Sequence, residues 1–290
     1  MRLGVSGQLL ARTHTLSDIV DILQGLDVHA IELWPHNIPG GDTPEEEGRY
    51  ERKAIAETRR LLADRGMEVA CVTLGFGILG GCREHGAAYG TDALNGAVDA
   101  AAALGAPIVN CYLAGIAPEL FVAAARPAAE RAGEAGVTIV LENEAHDDSG
   151  PAESVRAIVA AVGSPHFGTQ YDPCNYYHAN EEPYPAAYET VKEYVRYVHL
   201  KGGCHYDPAA RPRDHKGGLM RDSADRYIGY TAIPDGVVNA DGVLRRLAQD
   251  GYGGYVTLEP HVPAEQALDY YRIDVPYVQE RMRALLPAAV

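Results

Sequence analysis

The chain has 290 residues, 47% of them hydrophobic and 22% charged, a balance typical of a globular protein with apolar material for a large core. Its 25 basic and 40 acidic residues give a formal net charge of -15, which repels polyanions, so we expect no nucleic-acid partner. The N-terminal residues lack the unbroken apolar stretch of a signal peptide, and no apolar run has the length of a membrane span. We therefore expect neither export nor a membrane partner.

The cysteines favour a reducing compartment. They are odd in number and form no C-x-x-C pair, which does not suit a disulfide framework. They are Cys71, Cys82, Cys111, Cys174 and Cys204. We expect a cytoplasmic protein, and a dimer or tetramer of identical chains as its assembly.

Apolar, β-branched segments alternate with segments of helical periodicity along the whole chain. The predicted strands are residues 3–6, 30–34, 68–74, 107–113, 137–143, 167–172, 194–200 and 255–260. The predicted helices are residues 16–26, 45–65, 91–104, 118–133, 152–162, 184–194, 240–250 and 264–286. Strict alternation implies parallel strands joined by crossover helices. The sequence therefore predicts a single (β/α)₈ TIM barrel over residues 1–290, with a doubly wound open sheet as the alternative.

One long irregular stretch, residues 202–237, follows the seventh predicted strand. Its glycines allow bending, and it offers hydrogen-bond donors from histidine and arginine side chains. These donors are His205, Arg211, Arg213, His215 and Arg221. Because βα loops of a barrel begin at the catalytic face, we expect a lid over the site, with a subunit-contact arm as the alternative.

Four ionisable residues stand at the ends of the last four predicted strands. They are Glu142, Asp172, His199 and Glu259. Ionisable groups after apolar strand residues are costly to bury unless they are paired or bind a metal, so the four predict one shared divalent cation. Three carboxylates and one imidazole favour Mn²⁺, with Mg²⁺, Co²⁺ or Zn²⁺ as other possibilities.

The phrases IELWP, LENEAH, YDPCN, HLKG and GYVTLEPH, each at its strand, resemble the signature of the xylose-isomerase-like TIM barrel family. The resemblance covers nearly the whole chain and implies the barrel fold and the metal site. In the ketose 3-epimerases of this family, two glutamate ligands also form the acid–base pair, and by resemblance these are Glu142 and Glu259. A cation bound to the substrate oxygens would acidify the adjacent C–H and stabilise an enediolate.

Ketohexose epimerases grip the carbonyl end of the sugar through a glutamate, a histidine and an arginine at three further positions. By resemblance those substrate-binding positions are Asp148, Asn175 and His205. All three residues differ from the pattern, which argues against a simple ketohexose as the substrate.

Other polar residues at the strand ends complete the predicted site. Lys201 and His146 are further catalytic candidates, and Lys201 shares the barrel face of His199 by period-two alternation. Glu144 is also a candidate second acid or base, but we favour its interpretation as an exposed loop residue. Further candidate substrate-binding residues are Glu32, Trp34, His36 and Asn110.

The run CNYYHANEEPYP after the sixth strand carries Tyr176, Tyr177 and His178. Tyrosines are enriched both in ligand pockets and in subunit contacts, so the run is interpreted as one of these two.

The first functional hypothesis is a divalent-metal-dependent isomerase or epimerase acting on a keto-sugar or related polyol. The second is a lyase, an inosose-type dehydratase or a β-eliminating enzyme for 3-oxo-glycosides, which needs an extra general acid such as His146 or His205. An endonuclease IV-like hydrolase is a distant alternative, because Asn175 stands where a metal-binding histidine belongs and the chain is acidic. A barrel that binds metal without catalysis is disfavoured by the presence of both acid–base positions.

Overall fold

A computed structural model describes residues 1–38, 52–206, 219–221 and 227–285 of the chain. Eight of its strands lie where the apolar segments predict them. They are β1 (Arg2–Ser6), β2 (Ala30–Leu33), β3 (Glu68–Thr73), β4 (Ile108–Cys111), β5 (Thr138–Glu142), β6 (Phe167–Tyr171), β7 (Val195–Leu200) and β11 (Tyr255–Leu258).

These eight strands form one closed parallel barrel. Around the barrel the order is β1, β11, β7, β6, β5, β4, β3 and β2. The first and last strands join directly, with Arg2 opposite Tyr255 and Val5 opposite Leu258. The predicted (β/α)₈ barrel is confirmed, and the open-sheet alternative is wrong because β1 and β11 pair.

Helices connect the strands and cover the barrel. They are α1 (Leu16–Gly25), α2 (Arg52–Asp64), α3 (Cys82–Leu104), α4 (Pro118–Ala135), α5 (Ala152–Val162), α6 (Pro173–His178), α7 (Tyr188–Val191), α8 (Ala240–Gln249) and α9 (Ala267–Ala284). The predicted start of the second helix at residue 45 lies outside the described residues. None of the helices in the described part of the chain combines the length and apolar character that crossing a bilayer requires.

Local sequence signals explain where these helices begin and end. The side chain of Thr15 accepts from the backbone of Asp18, whose carboxylate accepts from the Thr15 backbone, so a capping box starts α1. At the end of α4, Gly136 adopts φ 70°, a left-handed conformation that glycine reaches without a Cβ clash.

The apolar core has two parts. The larger lies between the helices and the outside of the barrel, where Phe121 of α4 packs edge-on against Phe167 of β6 with ring centroids 6.0 Å apart. A smaller buried cluster includes Val140 and Tyr197. Since side chains alternate along a strand, these two point the same way as Glu142 and His199, two residues further along. An apolar layer therefore supports the polar one.

The stretch 202–237, which we predicted to be irregular, contains three strands. They are β8 (Gly202–Tyr206), β9 (Leu219–Arg221) and β10 (Tyr227–Thr231), and they form an antiparallel sheet in the order β8, β10, β9. A Cβ atom at Gly202 would lie 2.4 Å from the carbonyl oxygen of Ala232, so the glycine permits this close approach. Among the predicted lid donors, Arg221 belongs to β9, whereas Arg211, Arg213 and His215 lie outside the described residues.

Candidate metal centre

The four predicted ligands converge at the carboxyl ends of the barrel strands. Glu142 ends β5, His199 lies in β7, and Asp172 and Glu259 directly follow β6 and β11. Each offers one ligand atom, and these atoms all lie within 4.8 Å of one another. All four residues are buried, with at most 3% of their surface exposed.

Barrel geometry brings these side chains together, because they are not partners in the strand register. Glu142 is opposite Gln170, and His199 is opposite Thr257. Asp172 lies two residues after Gln170, and Glu259 lies two residues after Thr257. Closed barrels stagger their strands and tilt them against the barrel axis, which places residues of unequal register at similar heights.

The imidazole of His199 is held from its far side by Glu32. His199 Nε2 lies 2.6 Å from Glu32 Oε2, while Nδ1 lies 3.2 Å from Glu259 Oε2 and 2.9 Å from Gln170 Nε2. Burial alone would lower the pKa of His199, but the carboxylates of Glu32, Glu259 and Glu142 raise it well above its ordinary value. One ring nitrogen therefore faces the ligand group and the other faces a buried carboxylate.

Glu32 is fully buried and uses both of its oxygens within the protein. Oε1 accepts from Trp34 Nε1 at 2.8 Å and from Ser6 Oγ at 3.3 Å, and Oε2 also accepts from Tyr197 OH at 2.9 Å. Glu32 therefore supports His199, and neither of its oxygens is open to a substrate hydroxyl, the contact that we predicted from the sequence.

Lys201 places a buried ammonium group between two of the ligands. Its Nζ lies 2.9 Å from Asp172 Oδ2 and 3.1 Å from Glu259 Oε2. Burial would lower the pKa of this lysine, but the two carboxylates raise it well above its ordinary value. The side chain therefore stays charged.

Two amides and a helix cap orient the carboxylates. Asn110 Nδ2 donates to Glu142 Oε2 at 2.8 Å, and Asn175 Nδ2 lies 3.3 Å from Glu142 Oε1. Asp172 is the N-cap of α6, and its Oδ1 accepts from the backbone N–H groups of Cys174 and Asn175. The cap leaves Oδ2 of Asp172 to face the site.

The residue types present fit a divalent cation. Asp172 Oδ2, Asn110 Oδ1 and Gln170 Oε1 are buried and accept no hydrogen bond; the Asp172 atom contacts Lys201 Nζ only as an ion pair. Among the described residues, four buried carboxylates, counting Glu32, face Lys201, His199 and the partly exposed His261 as groups able to carry positive charge. A divalent cation would offset the excess negative charge, which is otherwise costly to bury.

The sequence reasoning missed His261. Its Nε2 lies 3.1 Å from Glu259 Oε2 and 3.4 Å from Lys201 Nζ, and its side chain is 32% exposed. Period-two alternation from Glu259 would have found it, as the same rule found Lys201 from His199.

Tyr230 of β10 was missed as well, and it connects the second sheet to the site. Its ring lies 4.9 Å from that of His261, and its hydroxyl lies 3.3 Å from Nδ1 of His178. Burial lowers the pKa of His178 to about 2, so this imidazole is neutral. Tyr230 therefore packs against the partly exposed ring of His261 and also contacts His178.

Aromatic residues at the ends of β2, β3 and β4 lie beside one another. Tyr112 lies 6.1 Å from Trp34 and 5.0 Å from Phe76, which is 47% exposed. His36 is half-buried with its Nε2 2.8 Å from the carbonyl oxygen of Gln8, and burial lowers its pKa. The described residues at this end of the site are mainly aromatic.

Some predicted residues are more exposed than the four clustered ones. His146 and Asp148 are exposed on the loop after β5, and the ring of His205 packs against Tyr177 at 4.3 Å. Glu144 was interpreted as an exposed loop residue, which is wrong: it is half-buried, 3.4 Å from Asn175 Nδ2. Burial and the charge of Glu142 raise its pKa.

The chain was compared with known families and structures. A family model described as the xylose isomerase-like TIM barrel matches residues 20–280. The search of curated protein sequences gives no match.

Several solved structures share the fold. L-ribulose 3-epimerase is 17% identical with a TM-score of 0.72, over 98% of this chain and 95% of that one. A xylose isomerase-like TIM barrel protein from Mycobacterium smegmatis, solved in complex with magnesium, is 16% identical with a TM-score of 0.72, over 96% and 92% of the two chains. The probable 3-DHS dehydratase AsbF from Bacillus anthracis is 13% identical with a TM-score of 0.67, over 96% and 99%.

Proposed function

Because the chain belongs to the xylose isomerase-like TIM barrel family, we propose that it is a divalent-metal-dependent isomerase or epimerase acting on a keto-sugar or related polyol. The observation that carries this proposal is the buried group of Glu142, Asp172, His199 and Glu259 at the catalytic face. Oxygen-rich ligation with one imidazole favours Mn²⁺ over a structural zinc.

A bound cation would polarise the substrate carbonyl and so acidify the neighbouring C–H bond. Glu142 and Glu259 then act as the acid–base pair, one removing the proton and the other returning it. Asn110 and Asn175 orient Glu142, and His261 and Lys201 orient Glu259. Positioned groups of this kind contribute about 10²–10⁴-fold to proton transfer.

The remaining residues suit contacts with substrate oxygens and ring faces. Lys201 offers a charged donor, and Phe76 and Tyr112 offer apolar faces at the opposite side of the site. We place Glu32 behind His199, where it holds the imidazole rather than the substrate, and Trp34 beside Glu32, to which its indole N–H donates.

The test is hydrogen exchange in D₂O. Manganese-loaded protein is incubated with a panel of keto-sugars, inososes and 3-oxo-glycosides, and deuterium at carbon is measured by NMR. We expect exchange on one substrate class, and its loss in the Glu142→Gln and Glu259→Gln variants, since an amide cannot accept the proton at neutral pH.

Metal content is measured on the same preparations. We expect it to fall in Asp172→Ala more than in the two glutamine variants, while the exposed-site control Glu119→Gln keeps both metal and exchange. Normal exchange in both glutamine variants would refute the two-glutamate mechanism, and full metal retention in Asp172→Ala would refute the metal site.

A lyase is the second candidate, and His261 favours it. A dehydratase or β-eliminating enzyme needs a general acid at the leaving group besides the acid–base pair. His261 is partly exposed and lies 3.1 Å from Glu259, whereas His146 is exposed on its loop and the ring of His205 packs against Tyr177. Deuterium incorporation with loss of a leaving group, abolished by His261→Phe, would select the lyase over the epimerase.

A further inference from the structure

A groove of 530 Å³ lies beside the metal centre and contains none of its four ligands. Its wall comes from the segment after α6, from β8 and from the residues before α8. The side chains that define it are Tyr177, Asn180, Glu182, Tyr184, His205 and Val237. Its volume falls within the range of small-molecule sites.

The groove starts from the same strand ends as the metal centre. Asp172 caps α6, and Tyr177 follows five residues later, about 7.5 Å along the axis at 1.5 Å per residue. On the other side, β8 begins directly after Lys201 and carries His205. All lining segments are βα connections, so the groove opens on the catalytic face.

The lining combines flat apolar surfaces with hydrogen-bonding groups. The rings of Tyr177 and His205 lie 4.3 Å apart, Tyr184 adds another phenol, and Val237 is 54% exposed. Asn180 adds an amide. A sugar ring presents C–H faces to aromatic rings and hydroxyl groups to amides, and this set of side chains matches both.

The negative charge of the groove and the backbone conformation of Asn180 indicate further which class of ligand the groove binds. Glu181 and Glu182 both line the groove, so the charge of its described lining disfavours a phosphorylated or carboxylated ligand. Asn180 has φ 60°, a left-handed conformation that costs free energy for a residue with a side chain, and its N–H donates to the carbonyl of Tyr177. Strained residues of this kind cluster at ligand sites.

The geometry points to a carbohydrate subsite in this groove, which binds a neutral sugar unit linked to the one that the metal centre converts. The substrate is accordingly a glycoside or oligosaccharide rather than a free monosaccharide. The link to conversion rests on the proposed function, whereas the affinity of the groove for a neutral sugar does not.

Calorimetric titration of manganese-loaded protein tests the subsite. The probes are glucose, glucose 6-phosphate and the neutral disaccharides maltose, cellobiose and lactose. We expect at least one disaccharide to bind roughly tenfold more tightly than glucose, and the phosphate to give no such gain. Equal affinities for glucose and all three disaccharides would overturn the inference.

Two variants test whether the gain in affinity for a disaccharide over glucose comes from this groove. Tyr177→Ala removes an aromatic face, and Asn180→Gly removes the amide while suiting the left-handed backbone. Both are expected to abolish the disaccharide advantage and leave Mn²⁺ affinity unchanged, as the control Tyr89→Ala leaves both. An advantage that survives both variants contradicts the subsite. Loss of the advantage in both variants, with no D₂O exchange on any sugar, supports the subsite and refutes the proposed reaction.

Discussion

Glu32 Oε2 lies 2.6 Å from His199 Nε2, although 167 positions separate the two residues in the chain. The other ring nitrogen faces the ligand group, so the carboxylate fixes both the orientation of the imidazole and the nitrogen that carries its proton. Such outer partners of metal-binding histidines strongly influence metal affinity.

We therefore expect Glu32→Gln to weaken Mn²⁺ binding about 10–100-fold, because the amide is a poorer partner for the imidazole N–H. Isothermal titration calorimetry measures the Mn²⁺ affinity of the variant and of the wild type. The control is Glu68→Gln, which alters a glutamate at the opposite end of the barrel that bonds Arg2 and Tyr255. Unchanged affinity in Glu32→Gln would show that His199 is positioned without this carboxylate.

Lys201→Met is expected to make the fold more dependent on metal. Removing one partner of a buried ion pair costs about 3–5 kcal/mol, because Asp172 loses its ammonium partner and Glu259 keeps only the neighbouring histidines. A bound cation supplies that charge, so the gain in Tm from Mn²⁺ over EDTA should be larger in the variant. The exposed Lys192→Met serves as control, and an equal gain in wild type and Lys201→Met would contradict the prediction.

Asp274 makes stability depend on pH. Burial raises the pKa of Asp274 from 3.8 to about 7, and its Oδ2 accepts no hydrogen bond. A raised folded-state pKa means that the native state retains the proton, so this contribution to stability is full below about pH 4 and is lost as the pH rises through 7, up to about 4 kcal/mol in size.

Asp274→Asn keeps the acceptor for the N–H of Ile233 and does not titrate. The variant should gain stability relative to wild type as the pH rises from 4 to 8. Urea unfolding at pH 5 and pH 8 measures the difference, and the exposed Asp269→Asn controls for net charge. A difference that does not change with pH would place the pKa of Asp274 near its ordinary value.

Gly203 is the contact point between β8 and α6. A Cβ atom at this glycine would lie 2.7 Å from Cys174 Sγ, so Gly203→Ala should cost about 1–3 kcal/mol through overpacking. The double variant with Cys174→Ala should recover most of that loss. Gly253→Ala, where a Cβ meets nothing within 4 Å, is the control. Additive effects in the double variant would contradict the contact.

The sequence predicted the barrel and the four residues that cluster at its strand ends because both depend on local patterns. Apolar, β-branched runs marked every barrel strand, and an ionisable residue at the end of a buried strand marked each member of the cluster of Glu142, Asp172, His199 and Glu259. The helix α6 could have been predicted as well, since Asp172 followed by Pro173 is an N-cap followed by proline at the first helical position.

What the sequence left out depends on contacts between distant segments. The partnership of Glu32 with His199 follows from barrel closure and not from any spacing. The strand β8 reads GGCHY, which has no apolar alternation, so its pairing with β10 was not visible. Without that sheet, the approach of Tyr230 to His261 could not be inferred.

The sheet of β8, β9 and β10 stands outside the closure of the barrel. β7 pairs directly with β11, with Val198 opposite Val256, so the hydrogen-bonded ring is complete without the inserted strands. This insertion, which begins at Gly202, can therefore become longer, become shorter or be replaced in evolution while the barrel stays closed. We expect differences in specificity within this family to fall in this insertion, because they then require no change in the hydrogen bonding of the barrel.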